Sequence, residues 1–434
     1  MPSLRSRLVV TPDGVRPATV RHEGGVIVDI SDNVPDADYG NSVVMPGLVD
    51  SHVHVNEPGR TDWEGFATAT RAAAAGGTTT VVDMPLNSIP PTTSVSALEA
   101  KREAARGKLS VDVAFWGGLV PGSVDEIDPL VDAGVCGFKS FLVDSGVPEF
   151  PSIEPDELLL GMARMRDRGV PSLLHAEDPA ALFPIAGDPT LYESYLASRP
   201  SEGESAAVRL AGEMSAATTA RVHVLHVSSA DAAAVIGTGP PSLSGETCPH
   251  YLTFCSEDVP QFATPFKCAP PIRSSEHREA LWDALRAGHL SMVVSDHSPA
   301  PAEVKAVESG DFSEAWGGVG SLQLRLQAML TGAAQRNVGF LEMADWLARQ
   351  PARLAGLDGR KGSIEVGKDA DFVVFDPEGA KKVRGDDLEH RHPITPYEGM
   401  VLRGTVVETI LRGESVFADG QIHAGRGRML IRGD

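Results

Sequence analysis

Six side chains in this sequence have the types and spacings of a metal-assisted hydrolytic centre. His52 and His54 are separated by one residue in LVDSHVHVNEP, so in an extended segment both project from the same face. Lys139 lies in GFKSFL, His175 in LLHAED, His226 in HVLHVSS and Asp296 in SDHSP. A lone strand histidine is ordinarily a satisfied core residue, and Asp296 taken singly reads as a helix N-cap. Together, imidazoles and a carboxylate form a donor set for divalent cations, with zinc foremost and iron, cobalt or manganese equally compatible by ligand type. Lys139 adds a further element. An ammonium between Gly-Phe and Ser-Phe-Leu would be buried at heavy desolvation cost. A neutral amine there reacts with carbon dioxide to give a carbamate, an anionic oxygen ligand able to bridge two metal ions. Such ions polarise a carbonyl and bring the pKa of bound water to about 7. His223 differs from His226 by an odd number and reads as a core histidine facing the other way.

The elements that must position these groups are legible as alternation. Apolar β-type runs at 47–54, 78–85, 111–117, 135–141, 171–177, 221–228, 245–252 and 290–296 are separated by Ala/Leu/Glu/Arg-rich helical stretches. A doubly wound open sheet alternates in the same way, but eight such units favour an α/β fold of the (β/α)8 TIM-barrel type. Each candidate ligand falls at or near the C-terminal end of its run, where barrel strands converge on one mouth. Short β-like runs at the two ends predict a small β-sandwich built from residues 1–47 and 359–434, with the barrel at 48–358.

The chain has 434 residues, 42% hydrophobic and 22% charged, long enough for a large barrel and something smaller. A formal net charge of -21 argues against nucleic-acid or anionic-membrane partners. Four cysteines make no disulfide framework and read as reduced, buried thiols. The N-terminus lacks a signal-peptide core and no apolar run reaches the ~18 residues of a membrane span. A cytoplasmic location is expected.

The motifs resemble the amidohydrolase superfamily, in its cyclic-amidase branch of dihydroorotases, hydantoinases and allantoinases. The similarity runs through MPGLVDSHVHVNEPGR (45–60), GGTTTVVDMPLN (76–87), GFKSFL (137–142), LLHAED (173–178), YLASRPSEGES (195–205) and HVLHVSS (223–229). It continues through ETCPHYL (246–252), FKCAPPIR (266–273), SDHSP (295–299), AWGGVGSLQ (315–323) and KGSIEVGKDADFVVFDP (361–377). The resemblance implies that His52, His54, His175 and His226 are metal ligands and that Lys139 is a carbamylated bridge. It also implies that Asp296 is both ligand and proton shuttle, serving water's attack on a ring amide. A homotetramer acting on a small-molecule substrate is implied as well.

Within the branch, dihydroorotases hold a substrate carboxylate with an arginine two positions after the histidine pair; here that position is Asn56, which makes no guanidinium fork. Hydantoinases show CPQYL-like sequence where this chain has CPHYL (248–252). HRHPITPYEG (390–399) is similar to members that open allantoin, a neutral hydantoin with a ureido tail, so allantoin is the expected substrate. The candidate contacts are Asn87, Ser295, Gly317 and His250, the last expected to project from the seventh strand. Gly318 reads as either an open backbone position or a tight loop, Arg60 as an ion pair or a substrate contact, and Tyr397 as structural. Ala300 stands where relatives carry a cysteine. The rival readings are another cyclic amidase or a non-catalytic scaffold of the same fold.

Overall fold

The computed structural model describes residues 2–31, 39–423 and 425–433. Residues 1, 32–38, 424 and 434 of the expected small domain lie outside the described residues. The chain begins with β1 (Ser3–Thr11), β2 (Gly14–Glu23), β3 (Val26–Ser31) and β4 (Val43–Pro46). The strands β5 (Leu48–Val53), β6 (Thr78–Asp83), β7 (Asp112–Phe115), β8 (Gly117–Gly118) and β9 (Phe138–Phe141) follow. After them come β10 (Ser172–His175), β11 (Val222–Val224), β12 (Leu243–Thr247) and β13 (Met292–Val293). The chain closes with β14 (Phe372–Lys382), β15 (Val401–Leu411), β16 (Glu414–Ala418) and β17 (Gln421–Ile422).

From β5 to β13 every pairing is parallel. β8 continues β7 across Trp116, so these segments occupy eight positions around a ring. The ring closes where the chain beyond β13 meets β5, through the Val53–His297 bridge and the His54 amide donating to His297 O at 2.8 Å. Helices on the outside cover the strands, which explains why β5, β6, β9 and β10 are buried along their whole lengths rather than alternating.

The remaining strands form one sheet in the order β17-β16-β15-β14-β4-β1-β2-β3, so both ends of the chain contribute to it. β4 and β14 explain how this sheet holds to the barrel. Val44, Phe372 and Val374 face a small core with Leu4, Val20 and Ile410, whereas Val43, Met45, Val373 and Phe375 join the main barrel core. Gly77 sits at the join with φ 84°, and a Cβ there would lie 2.4 Å from Val373 Cγ2. Only glycine meets both conditions.

A buried charge cluster pins the same junction. Lys361 Nζ lies 2.7 Å from Asp112 at the start of β7, 2.7 Å from Asp371 and 2.9 Å from Asp369; Arg412 pairs with Asp112 as well. Burial works against the Lys361 ammonium, but Asp371, Asp112 and Asp369 outweigh it and raise its pKa. Among the described residues, no helix is long and apolar enough to cross a membrane.

Candidate active site

The structure brings the six sequence-predicted side chains together at the C-terminal mouth of the barrel. His54, Lys139, His175, His226 and Asp296 line one cavity of about 490 Å³. His52 lies just beneath them, its Nε2 3.3 Å from Lys139 Nζ and 3.1 Å from Asp296 Oδ1. The His54 Nε2 stands 3.6 Å from the same carboxylate oxygen. Ring centroids of His175 and His226 are 4.6 Å apart, and those of His52 and His226 5.4 Å. His226 and Asp296 lie beyond the ends of β11 and β13, at φ 39° and 46°. These left-handed conformations turn the two side chains back over the mouth.

Partners on the outer side of each ring orient it. His52 donates from Nδ1 to Glu246 Oε1 at 2.6 Å, and Glu246 Oε2 accepts from His223 Nε2 at 3.1 Å. His175 donates from Nε2 to Glu177 at 2.7 Å, and His54 from Nδ1 to Leu86 O at 3.2 Å. With Nδ1 committed as donor in His52 and His54, the Nε2 of each faces Asp296, and that of His52 faces Lys139 as well. His226 Nδ1 is buried without a hydrogen-bond partner. Lone pairs aimed at one carboxylate and one amine are the donor pattern that divalent cations require, so the residues fit such a group.

The electrostatics agree. Burial depresses His54 to about 4, aided by Lys139, and depresses His175 and His226 too, so these imidazoles stay neutral. His52 is the exception: burial opposes its charge, but Asp296 and Glu246 raise its pKa. Burial pushes Lys139 down to about 8. Burial would raise Asp296, yet His52, His54 and His226 hold it well below the ordinary carboxylate range. Glu177 and Glu246 likewise fall to about 2 despite burial, through His175 and Arg199 in one case and His52 and His223 in the other.

The substrate-contact expectations separate. Asn87 and Gly317 lie on the cavity wall. Asn87 donates from Nδ2 to Asn56 Oδ1 at 3.0 Å and leaves its own Oδ1 without a protein partner. Ser295 is not on the wall: its amide donates to Asp50 and its hydroxyl to His52 O. His250 is not on the wall either. It sits on a short helix, Pro249–Thr253, rather than on a seventh strand, because Pro249 at the first helical position ends the ladder and starts a turn. Arg60 pairs with Glu149, donates to Asn87 O at 2.6 Å and lies over Trp63. Gly318 is a tight approach, since a Cβ would stand 2.2 Å from Ser298 O. His223 is a satisfied core histidine, with Nδ1 accepting from Ser244 Oγ at 2.8 Å.

Arg199, Lys267, Tyr195 and Trp316, not singled out from the sequence, also line the cavity. The sequence reading also missed the orienting acids Glu64, Glu177 and Glu246. Glu64 accepts from His297 Nε2 at 3.2 Å, while His297 Nδ1 accepts from the Ser321 and Leu322 amides. That grip fixes the loop carrying Asp296. A signal existed for two of the acids: Glu177 follows His175 by two residues, and Glu246 sits inside a strand read as apolar.

Comparisons with known proteins agree with this geometry. The model of the amidohydrolase family matches residues 43–416. The chain is 47% identical to an allantoinase of Streptomyces avermitilis over 99% of this chain and 98% of that one. It is 41% identical to an allantoinase of Arabidopsis thaliana, covering 96% of this chain and 88% of the other. An L-hydantoinase (dihydropyrimidinase) from Arthrobacter aurescens superposes with a TM-score of 0.94 at 30% identity, over 99% of both chains.

Proposed function

The chain belongs to the amidohydrolase family, and from that premise we propose that it opens the hydantoin ring of allantoin with water to give allantoate. The observation that carries this reading is the gathering of four imidazoles, the Lys139 amine and the Asp296 carboxylate at one barrel mouth. In this reading His52, His54, His175, His226 and Asp296 would hold two divalent cations, zinc foremost, and a carbamate on Lys139 would add an anionic oxygen ligand. When bound, such ions polarise a carbonyl and make water acidic enough to attack near neutral pH.

The protein's own groups do the rest. Asp296 takes the proton of the attacking water and passes it to the ring nitrogen as the C–N bond breaks and the new C–O bond forms. Its low pKa keeps it ionised and ready to accept. Lys139 has no carboxylate within ion-pair distance among the described residues, which favours capture of carbon dioxide over a salt bridge. Asn87 Oδ1, buried and otherwise unpartnered, accepts from a ureide N–H. Gly317 leaves backbone open to the ring, a Cβ there finding nothing closer than 3.7 Å. The ureido tail lies toward Trp316, Tyr195 and Lys267, whose Nζ is held over the Tyr195 ring at 5.2 Å. Ser295 acts through Asp50 and His52, which its amide and hydroxyl contact.

The division into a barrel at 48–358 and a small domain from 1–47 and 359–434 belongs to the same reading, supported by the sheet that joins both ends. A homotetramer in the cytoplasm is proposed too; four unpaired, buried cysteines suit a reducing compartment. The deciding experiment measures ring opening of allantoin, hydantoin, dihydrouracil and dihydroorotate by the purified protein. Allantoin is expected to give the highest kcat/KM; a higher value for any other member of the panel refutes the substrate assignment.

A further inference from the structure

Next to Asp296 a second set of donor atoms, on residues that do not line the cavity, shares its carboxylate. One ligand atom each of Cys248, His250 and Asp296 lie within 4.8 Å of one another, and all three residues are buried. Cys248 and His250 have no exposed surface. Neither ring nitrogen of His250 has a hydrogen-bond partner, although the ring is fixed edge-on to Tyr251 at 4.3 Å. A buried imidazole with both nitrogens unsatisfied carries a desolvation penalty that a ligand would relieve. Thiolate, imidazole and carboxylate are together a soft-to-borderline set, which selects zinc-like ions over magnesium or calcium.

We propose that Cys248, His250 and Asp296 form a binding site for a third, thiophilic divalent cation, Zn²⁺ or Cd²⁺, whose occupancy inhibits ring opening. The inhibitory part rests on Asp296 being the proton carrier, as proposed above. Entry of the cation replaces the thiol proton, which leaves to solvent, with a sulfur–metal bond. The thiolate supplies a negative charge, the carboxylate is shared with the main centre, and the neutral imidazole adds a lone pair. Three protein ligands leave a fourth position for water, the number usual at open zinc sites. Typical bonds of about 2.0–2.3 Å require the donor atoms to close in slightly, which side-chain rotation of Cys248 and His250 provides. Asp296 held by this cation no longer reaches the leaving nitrogen.

The test titrates the metal-loaded protein with Cd²⁺ while recording ultraviolet absorbance and turnover of its best substrate in parallel. A thiolate-to-cadmium charge-transfer band that saturates at one added equivalent, with activity falling alongside it, is expected. The main centre offers only nitrogen and oxygen donors, so cadmium entering there gives no such band. In Cys248→Ala the band disappears and the concentration of Cd²⁺ that halves activity rises at least about tenfold. If that variant does not fold, His250→Ala serves instead, with an end point at least about tenfold weaker expected. A wild-type titration without the band, a band that survives Cys248→Ala, or an unchanged end point in His250→Ala overturns the proposal. Because the band needs no turnover, a failure of the substrate assignment is distinguishable from a failure of this site.

Discussion

The Nδ1 of His52 lies 2.6 Å from Oε1 of Glu246, a fully buried pair joining residues on the first and seventh strands of the barrel. The ionised carboxylate fixes the imidazole tautomer, so the other nitrogen of His52 has its lone pair free. In Glu246→Gln the amide is indifferent to which ring nitrogen carries the proton. Metal retention against a chelator is expected to weaken by about 10–100-fold, with kcat falling in step. Elemental analysis after dialysis reads this; full metal content would show that Glu246 has no orienting role.

Lys139→Ala removes the amine from which a carbamate forms and should leave the purified protein inactive and short of metal. Short carboxylates such as formate or acetate are expected to restore part of both. Asp296→Asn, in contrast, should fold and keep part of its metal while turnover drops roughly 10²–10⁴-fold, the usual share of a positioned acid–base group. An active Asp296→Asn variant would remove the residue from the proton path.

The two glycines after Trp316 should respond oppositely to alanine. At Gly318 the added Cβ meets Ser298 O at 2.2 Å, and overpacking of this kind costs about 1–3 kcal/mol. At Gly317 the nearest atom is 3.7 Å away, so folding is spared and the methyl enters the cavity instead. A lower Tm in Gly318→Ala and a raised KM at normal Tm in Gly317→Ala are expected. Equal thermal shifts would contradict the assignment.

Replacing Lys361 with methionine leaves Asp371 beside a neutral side chain, while Asp112 keeps Arg412 and Asp369 keeps Arg360. Breaking a buried ion cluster from one side costs about 3–5 kcal/mol, so Lys361→Met should unfold at markedly lower urea concentration at neutral pH. The sign with pH is informative. Burial already raises the Asp371 pKa against the pull of Lys361, and without that cation it ionises still less readily in the fold than in the unfolded chain, so the variant's deficit narrows as pH falls. A variant whose deficit widens in acid would refute this account.

Lys305 carries its own pH signature. Burial, reinforced by Lys267, lowers it from 10.5 to about 7, though its Nζ donates to Trp316 O at 2.9 Å and Gly318 O at 2.8 Å. The unfolded chain therefore binds this proton more tightly, and stability from this group rises with pH between about 7 and 10.5. Urea midpoints at about pH 6 and pH 9 should show a rise in the wild type that Lys305→Met lacks. Parallel midpoints in the two proteins would show that Lys305 stays charged throughout.

Much of the site was legible before the fold because its ligands keep short, local spacings. His52 and His54 share a strand face, and Lys139 announces itself as a cation in apolar surroundings. What escaped was long-range. Glu246 meets His52 across 194 positions of sequence, and Glu64 meets His297 across 233. A carboxylate inside an apolar strand marks Glu246 as unusual without naming its partner, and the local pattern around Glu64 offers no such mark. His223 is the satisfied core residue that its odd spacing from His226 suggests, yet β11 ends at Val224 and His226 turns at positive φ, so strand alternation does not link the two. Reading 245–252 as one strand overlooked Pro249, whose ring forbids the next ladder bond. The alternation of elements sufficed for the barrel, while the small domain needed pairing between opposite ends that no local pattern encodes.

That shared sheet has a consequence for synthesis. β4 lies between β1 and β14, so the earliest strands leave the ribosome with one edge and one apolar face open until nearly the whole chain exists. At about 5–20 residues per second the wait lasts on the order of tens of seconds. Throughout it, Val43 and Met45 have neither the finished barrel nor Phe375 to cover them. Nascent chains stalled before β14 should therefore be the species that chaperones hold and proteases cut.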